Sequence, residues 1–332
     1  MSAARAFATV DVGTNTTLLL VARPRPGRPA AEAEVLAEAA EITRLGRGIG
    51  ADGQLGAEGI ARTLEALDRY RAVARTHEAA IAAIGTEALR RAPNAGVFLD
   101  EAARRLGVPV EVIDGEREAA LTFRAVAESF PAEVAAARAL VVDIGGGSTE
   151  LVVSERGAVT FRRSLPIGSV RLHERHVRHD PPETSELRAV TADVETVLQT
   201  AAEAFAVPAP RPEDSGLPSP TTLLVGVAGT VTSLSAMSLG LRSYDPARVH
   251  GSRLGAEALE AQIARLAHAT QAEREQMAGL DPKRADVILA GALILQAIVR
   301  RAGAGEVRVS DRGIRWGLFY ELAARAAQAA SP

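Results

Sequence analysis

The sequence predicts an α/β protein built from two related domains, and three observations predict it. Short apolar runs alternate with amphipathic stretches, so strands alternate with helices. The stretch VDVGTNTTLLLV at residues 10–21 returns as VDIGGGSTELVV at residues 142–153, matching at the Asp, at the Gly, at Thr17 and Thr149, and at most apolar positions. The chain has 332 residues, enough for about two domains of ordinary size.

The elements follow in order. Residues 6–13 are an apolar run ending in Asp-x-Gly, a buried strand meeting a tight turn, and residues 17–23 are its return. RPRPGRP is a turn cluster, and residues 32–42 supply a third strand. Ile60, Leu64, Leu67 and Arg71 fall at helical spacing in AEGIARTLEALDRYRAVAR. AAIAAIGTEAL reads as strand then turn; Asn94 stands as the N-cap of the next helix and Gly107 as its stop. PVEVIDG is a strand, and residues 116–130 a helix. The pattern then restarts, with strands at 139–143, 150–154 and 157–164, a long helix marked by Leu187, Val190, Val194, Val197 and Leu198, and a Pro-rich loop at 208–221. A strand at 223–227 meets AGTVTSL. Helices at 256–277 and 282–302, a strand at 306–310 and a helix from Ile314 close the chain.

Composition excludes several classes. The formal net charge is −3 and no basic tract is present, so nothing attracts nucleic acid. There is no cysteine, hence no disulfide framework and no Cys-bound zinc. MSAARAFATVDVG reaches a strand too soon for a signal peptide, and no apolar run approaches the roughly 20 residues that span a bilayer. A cytoplasmic location is expected.

Each copy of the repeat ends a strand in Asp, turns on Gly and small hydroxyl residues, and returns. Such turns expose backbone N–H groups that cradle phosphate oxygens, together with Ser and Thr hydroxyls. One copy alone is an ordinary hairpin; hairpin geometry does not require the same residues twice. Two such loops on facing domains would grip a run of phosphates across a cleft. The Asp can orient water or hold a cation. Leu18 in the first copy is replaced by Glu150 in the second, so Asp143 and Glu150 can share a Mg²⁺ ion or another divalent cation, whereas Asp11 has an apolar partner. His173, His176 and His179 repeat at helical spacing in RLHERHVRHD. They suggest a metal site less well than a polar helix face.

Taken together, these motifs resemble the exopolyphosphatase/guanosine pentaphosphate phosphohydrolase (Ppx/GppA) family, over almost the whole chain. DVGTNTTLLLV is similar to the family's first phosphate motif and DIGGGSTEL to its second. GTEALRRAPN resembles the segment that gives an Arg to the phosphate channel, here Arg90; IDGEREAALTF resembles the segment with the catalytic Glu, here Glu118. VAGTVTSL resembles a loop closing over phosphates, and VSDRGIRWGLFYEL the closing strand and helix. Where the family often shows paired acids before the Ala, Arg117 stands between Glu116 and Glu118. The resemblance implies two ribonuclease H-like domains of the actin/Hsp70/sugar kinase superfamily. They fall at residues 1–124 and 125–313, with the helix at 314–330 packing back on the first. It also implies the short architecture, without the HD-like domain of long members.

The implied reaction is hydrolysis of the terminal phosphoanhydride of inorganic polyphosphate, of short chains above all, releasing orthophosphate. Glu118 would be the general base, and Asp11 would orient the terminal phosphate or its water. Thr14, Asn15, Thr16, Gly145, Gly146, Gly147, Ser148, Gly229 and Thr230 would bind phosphates, Arg90 would track the chain, and Asp143 and Glu150 would hold the metal. Three alternatives stay open: guanosine pentaphosphate (pppGpp) as substrate, a sugar kinase, and a non-catalytic polyphosphate or nucleotide binder. The sequence leaves room for a homodimer.

Overall fold

The structure, a computed structural model, describes residues 5–25, 27–49, 53–206 and 222–329. In chain order its elements are β1 (Phe7–Val12), β2 (Thr17–Arg23), β3 (Glu34–Glu41), α1 (Ala57–Thr76), β4 (Ala80–Gly85), α2 (Glu87–Arg91), α3 (Ala95–Leu106), β5 (Val110–Val112) and α4 (Gly115–Ser129). There follow α5 (Pro131–Ala136), β6 (Arg138–Ile144), β7 (Thr149–Glu155), β8 (Ala158–Leu165), α6 (Ser169–His176), α7 (Thr184–Gln199), β9 (Leu223–Val227), α8 (Ala228–Ser238), α9 (Pro246–Val249) and β10 (Arg253–Gly255). The chain ends with α10 (Ala256–His268), α11 (Gln271–Glu275), α12 (Ile288–Ala302), β11 (Glu306–Val309) and α13 (Ile314–Ala329). Among the described residues no helix is long and apolar enough to cross a membrane.

Two compact units result. The first takes the described residues up to Ser129, the turn Gly145–Gly147, and the chain from Arg312 on; the second takes the rest. The boundary follows the end of α4, five residues beyond position 124.

The first sheet has the order β3-β2-β1-β4-β5, and the second, read from its other edge, β8-β7-β6-β9-β11 with β10 added outside. In both, the first three strands form an antiparallel meander and the inner neighbour is parallel. The repeat therefore exists in three dimensions, and it holds residue by residue. Asp11 lies opposite Leu18 and Asp143 opposite Glu150. A bulge between Val21 and Ala22 has its counterpart between Val153 and Ser154, the same positions of the repeat.

The residues explain these elements. β1 and β6 are buried along their whole lengths, as the inner strands of a sheet covered on both faces must be. β3 and β8 lie at the edges and carry Glu34, Glu38 and Glu41, or Arg162 and Arg163, charges that discourage edge-to-edge pairing. α1 buries Leu64, Leu67, Tyr70 and Ala74 at helical spacing, and the Tyr70 hydroxyl donates to the Thr17 carbonyl at 2.8 Å. Burial pushes that phenol well above its ordinary range. In the second unit, α12 is buried from Ile288 to Val299 and forms the centre of the core.

Some expectations are corrected. The helix expected over 256–277 breaks at Ala269, because Thr270 opens α11 with a capping box: its Oγ1 accepts from Glu273 N, and Glu273 Oε2 accepts from Thr270 N at 2.7 Å. In 282–302, Pro282–Arg284 form a 3₁₀ turn and the α-helix starts at Ile288. Asn94 precedes α3 but does not cap it. Its amide bridges Leu55 instead, accepting from Leu55 N at 2.9 Å and donating to Leu55 O at 3.0 Å. Gly107 ends that helix at φ 79°, where a Cβ would be strained. The Pro-rich stretch 208–221 lies outside the described residues.

Candidate active site

In the first unit, the β1–β2 turn carries Asp11, Thr14, Asn15 and Thr16. Gly13 N donates to Thr16 O at 3.1 Å, and a Cβ on Gly13 would come within 2.8 Å of that oxygen, so the turn needs glycine. Asp11, Thr14 and Asn15 are buried. The Asn15 Nδ2 has no hydrogen-bond partner among the described residues. A buried amide donor in that condition suits an anionic oxygen.

β4 runs parallel to β1, and Thr86 N donates to Val12 O at 3.3 Å, so α2 starts beside this turn. Two residues of α2 matter. Arg90 donates through Nη1 to Ile113 O at 2.7 Å and to Glu118 Oε2 at 2.8 Å. Glu87, which the motifs do not single out, is buried, accepts from Thr14 Oγ1 at 3.4 Å, and pairs with Arg91 at 3.2 Å. A Cβ on Gly147, within the same unit, would meet Glu87 Oε2 at 2.0 Å, so that turn residue must be glycine.

Glu118 occupies the first turn of α4. Asp114 fixes that turn: its carbonyl accepts from Glu118 N at 3.0 Å and its Oδ1 from Arg117 N at 2.7 Å. Glu118 is buried while Glu116 is exposed. Of the two candidate acids, Glu118 is the buried one, and the Arg90 guanidinium holds its carboxylate.

In the second unit, Asp143, Glu150 and Ser164 stand in register across β6, β7 and β8, which puts them on one face of the sheet. Ser164 Oγ donates to Glu150 Oε1 at 2.7 Å. Asp143 and Glu150 are both buried. Two buried carboxylates in opposed positions repel one another, and a cation between them offsets that cost. The pair therefore fits a hard divalent ion that takes its other ligands from water and phosphate. Among the described residues no group of three or more His, Asp or Glu side chains forms a fuller metal cluster.

Val227 pairs with Asp143, so α8 begins at the same end of the sheet, as α2 does in the first unit. No side chain caps α8, and Ala228 enters it at φ 68°, a strained value for a residue with a Cβ. Its first turn offers backbone N–H groups of the kind that bind anions. Thr230 is buried there; a Cβ on Gly291 would come within 2.6 Å of its side chain. Arg284, also missed by the motifs, lays its guanidinium on Gly229, where a Cβ would meet Nη1 at 2.1 Å. Burial lowers the pKa of this guanidinium, with Asp281 and Tyr244 acting the other way. The nearby sequence gives one signal, the basic pair Lys283–Arg284.

Ser148, just before β7, is buried, and Gly145 and Gly146 are half-buried in the same turn. The three histidines do not converge on a common point. His176 Nε2 meets Asp193 at 2.9 Å and His179 Nδ1 meets Glu186 at 3.0 Å, both acids on α7. They belong to a polar helix corner.

Comparison with known proteins adds the relatives. The sequence pattern of the Ppx/GppA phosphatase family matches residues 20–326. Exopolyphosphatase 2 of Mycobacterium tuberculosis is 36% identical over 327 residues, covering 95% of this chain and 98% of its own. The guanosine-5'-triphosphate,3'-diphosphate pyrophosphatase of Vibrio atlanticus is 30% identical over 322 residues, covering 95% of this chain and 59% of its own. Among solved structures, the Aquifex aeolicus Ppx/GppA protein superposes with a TM-score of 0.76 at 30% identity, over 97% of this chain and 98% of that one. An exopolyphosphatase from Cytophaga hutchinsonii superposes at 0.84 and 27% identity, over 96% and 97%.

Proposed function

The chain belongs to the Ppx/GppA phosphatase family, and from that membership we propose that it is an exopolyphosphatase, releasing orthophosphate from the ends of inorganic polyphosphate chains, short ones above all. The observation that carries this reading is Glu118, a buried carboxylate at the start of α4 held 2.8 Å from the guanidinium of Arg90.

In this mechanism the Asn15 amide, the Thr14 and Thr16 hydroxyls and the backbone N–H groups of Gly145, Gly146 and Gly147 bind phosphate oxygens. Ser148 and the first turn of α8, with Gly229, Thr230 and the Arg284 guanidinium, bind others. Asp11 orients the attacked phosphate or its water. Asp143 and Glu150 would hold Mg²⁺, which when bound neutralises charge on phosphate oxygens. Glu118 accepts a proton from water as the water oxygen bonds to the terminal phosphorus. The bridging P–O bond breaks, and its electron pair leaves with the shortened chain. Orthophosphate and the protonated carboxyl of Glu118 result, and the proton passes to solvent.

A second reading keeps this chemistry and takes pppGpp as substrate; the 30% identity to the Vibrio protein favours it. The two are separated by measuring phosphate release from tripolyphosphate, long polyphosphate and pppGpp in parallel. Highest kcat/KM on tripolyphosphate supports the first reading, and highest on pppGpp the second.

A further inference from the structure

Arg117 is the residue at which this chain departs from paired acids in the Glu118 segment, and its partner lies 204 positions away. Its Nη2 donates to Glu321 Oε1 on α13 at 2.6 Å. Both residues belong to the first unit. Glu321 is largely buried and is also met by Arg325 one turn on, at 2.7 Å.

The same two helices meet at two further points. Arg124 Nη2 donates to Tyr320 O at 3.1 Å. At Gly317 the backbones touch so closely that a Cβ would stand 2.0 Å from Leu121 O. Around this contact Leu121, Ile314 and Leu318 pack with Ile84 and Ile113. Arg117, Leu121 and Arg124 recur at i, i+4 and i+7, so they form a single face of α4, and α13 grips that face.

Glu118 is one residue on from Arg117, about 100° further round the helix. The rotation of α4 about its axis therefore sets where the Glu118 carboxylate points. Arg90 holds the tip of that side chain, but a tip contact does not fix the helix beneath it. Leu121 and Gly317 fix the separation of α4 and α13. Asp114 closes the first turn locally, and the Arg117–Glu321 contact ties that turn to α13.

We propose that Arg117 and Glu321 are a positioning pair which aims Glu118 by fixing the rotation of the first turn of α4. This rests on the reading of Glu118 as general base. The Glu321 carboxyl is held below the ordinary carboxylate range, by the hydrogen bond from Arg117 first, with burial opposing, so the pair is intact at neutral pH.

The test is a double-mutant cycle in the full chain: Arg117→Ala, Glu321→Ala and both together, with Arg117→Lys as the conservative variant and Glu118→Gln as the reference. Phosphate release from tripolyphosphate is measured as kcat and KM, with melting temperature recorded for each variant. Each single alanine variant should lose about ten-fold in kcat, since misplacement by a fraction of an ångström to an ångström costs up to about 100-fold. KM should stay within about two-fold. The double variant should lose no more than either single one, because both remove the same contact, and Arg117→Lys should recover part of the loss. Unchanged kcat in Arg117→Ala, with Glu118→Gln inactive, overturns the positioning role alone. A rise in KM with kcat unchanged also overturns it, making Arg117 a substrate ligand. Full activity in Glu118→Gln overturns the general-base reading and the positioning role with it. Arg117 is partly exposed, so its alanine variant should fold; a kcat loss tracking only a fall in melting temperature, with additive effects in the double variant, overturns the proposal as well.

Discussion

Asp143 and Glu150 stand directly opposite one another across β6 and β7, in the register that Asp11 and Leu18 hold across β1 and β2. Opposite the shared Asp, the first copy carries Leu18 and the second Glu150. The Glu sets a second carboxylate opposite the Asp.

That pair leads to the first prediction. Asp143→Asn and Glu150→Gln should each shift the Mg²⁺ activation curve to higher concentration, with activity partly restored at saturating metal, because one oxygen ligand carries less charge. A metal titration of phosphate release checks it. Wild-type curves in both variants would place the cation elsewhere.

Glu118→Gln should retain the melting temperature and lose about 10²–10⁴-fold in kcat, since an amide cannot take the proton from water. Stopped-time phosphate assays at saturating substrate measure it.

Arg90→Ala should act on both kinetic constants. The motif alone suggests a residue tracking the phosphate chain, whose loss raises KM. In the structure its Nη1 also holds Glu118 at 2.8 Å, so the variant loses the anchor of the proposed base as well. We expect KM to rise and kcat to fall by about ten-fold or more. A pure KM effect would show that the contact with Glu118 has no part in catalysis.

Gly229→Ala tests the start of α8. The added methyl meets the end of the Arg284 side chain, at 2.1 Å from Nη1, and a flexible side chain can swing away. Folding should survive while the guanidinium is displaced. KM for tripolyphosphate should rise several-fold with little change in melting temperature; unchanged KM would remove Arg284 from the phosphate site.

The corner between α6 and α7 carries a pH prediction. Burial pushes the Glu186 carboxyl up, but the backbone N–H of Glu183, the His179 ring and the backbone N–H of Arg178 outweigh it and hold it at about 2. A lowered pKa means stability present above the unfolded carboxylate value near 4.5 and lost as pH falls toward 2. The His179 pKa is raised, first by the hydrogen bond to Glu186, so its share is present below about 6.5 and lost as pH rises through the raised value. Glu186→Gln should therefore lower the melting temperature at pH 5–6, and the difference from wild type should shrink toward pH 2. A difference independent of pH contradicts it.

The sequence makes the repeat legible because Asp-x-Gly turns and buried apolar positions leave marks at fixed spacing. The hairpin pairing follows from that pattern, and so does the opposition of Asp143 and Glu150; the order of the remaining strands does not. The repeated bulge at Val21/Ala22 and Val153/Ser154 leaves no such mark, since it is an irregularity of pairing with the edge strand. Glu87, Ser164 and Arg284 were illegible for a related reason. Each meets a candidate residue of its own unit through packing, Glu87 by accepting from Thr14, Ser164 by lying opposite Glu150 and Arg284 by covering Gly229. The Arg117–Glu321 contact closes over 204 residues, beyond any local pattern. The break before α11 was readable in principle: Thr270 and Glu273 spell a capping box, which the apolar spacing across 256–277 masked.

We propose Glu118 as the base for hydrolysis of terminal phosphoanhydrides in polyphosphate. Its most direct test is the kcat/KM for orthophosphate release from tripolyphosphate, with wild type and Glu118→Gln measured side by side in Mg²⁺. Release by the wild-type protein is expected, with a loss of at least about 100-fold in the variant. Equal rates in the two proteins, or no release by the wild type, would contradict it.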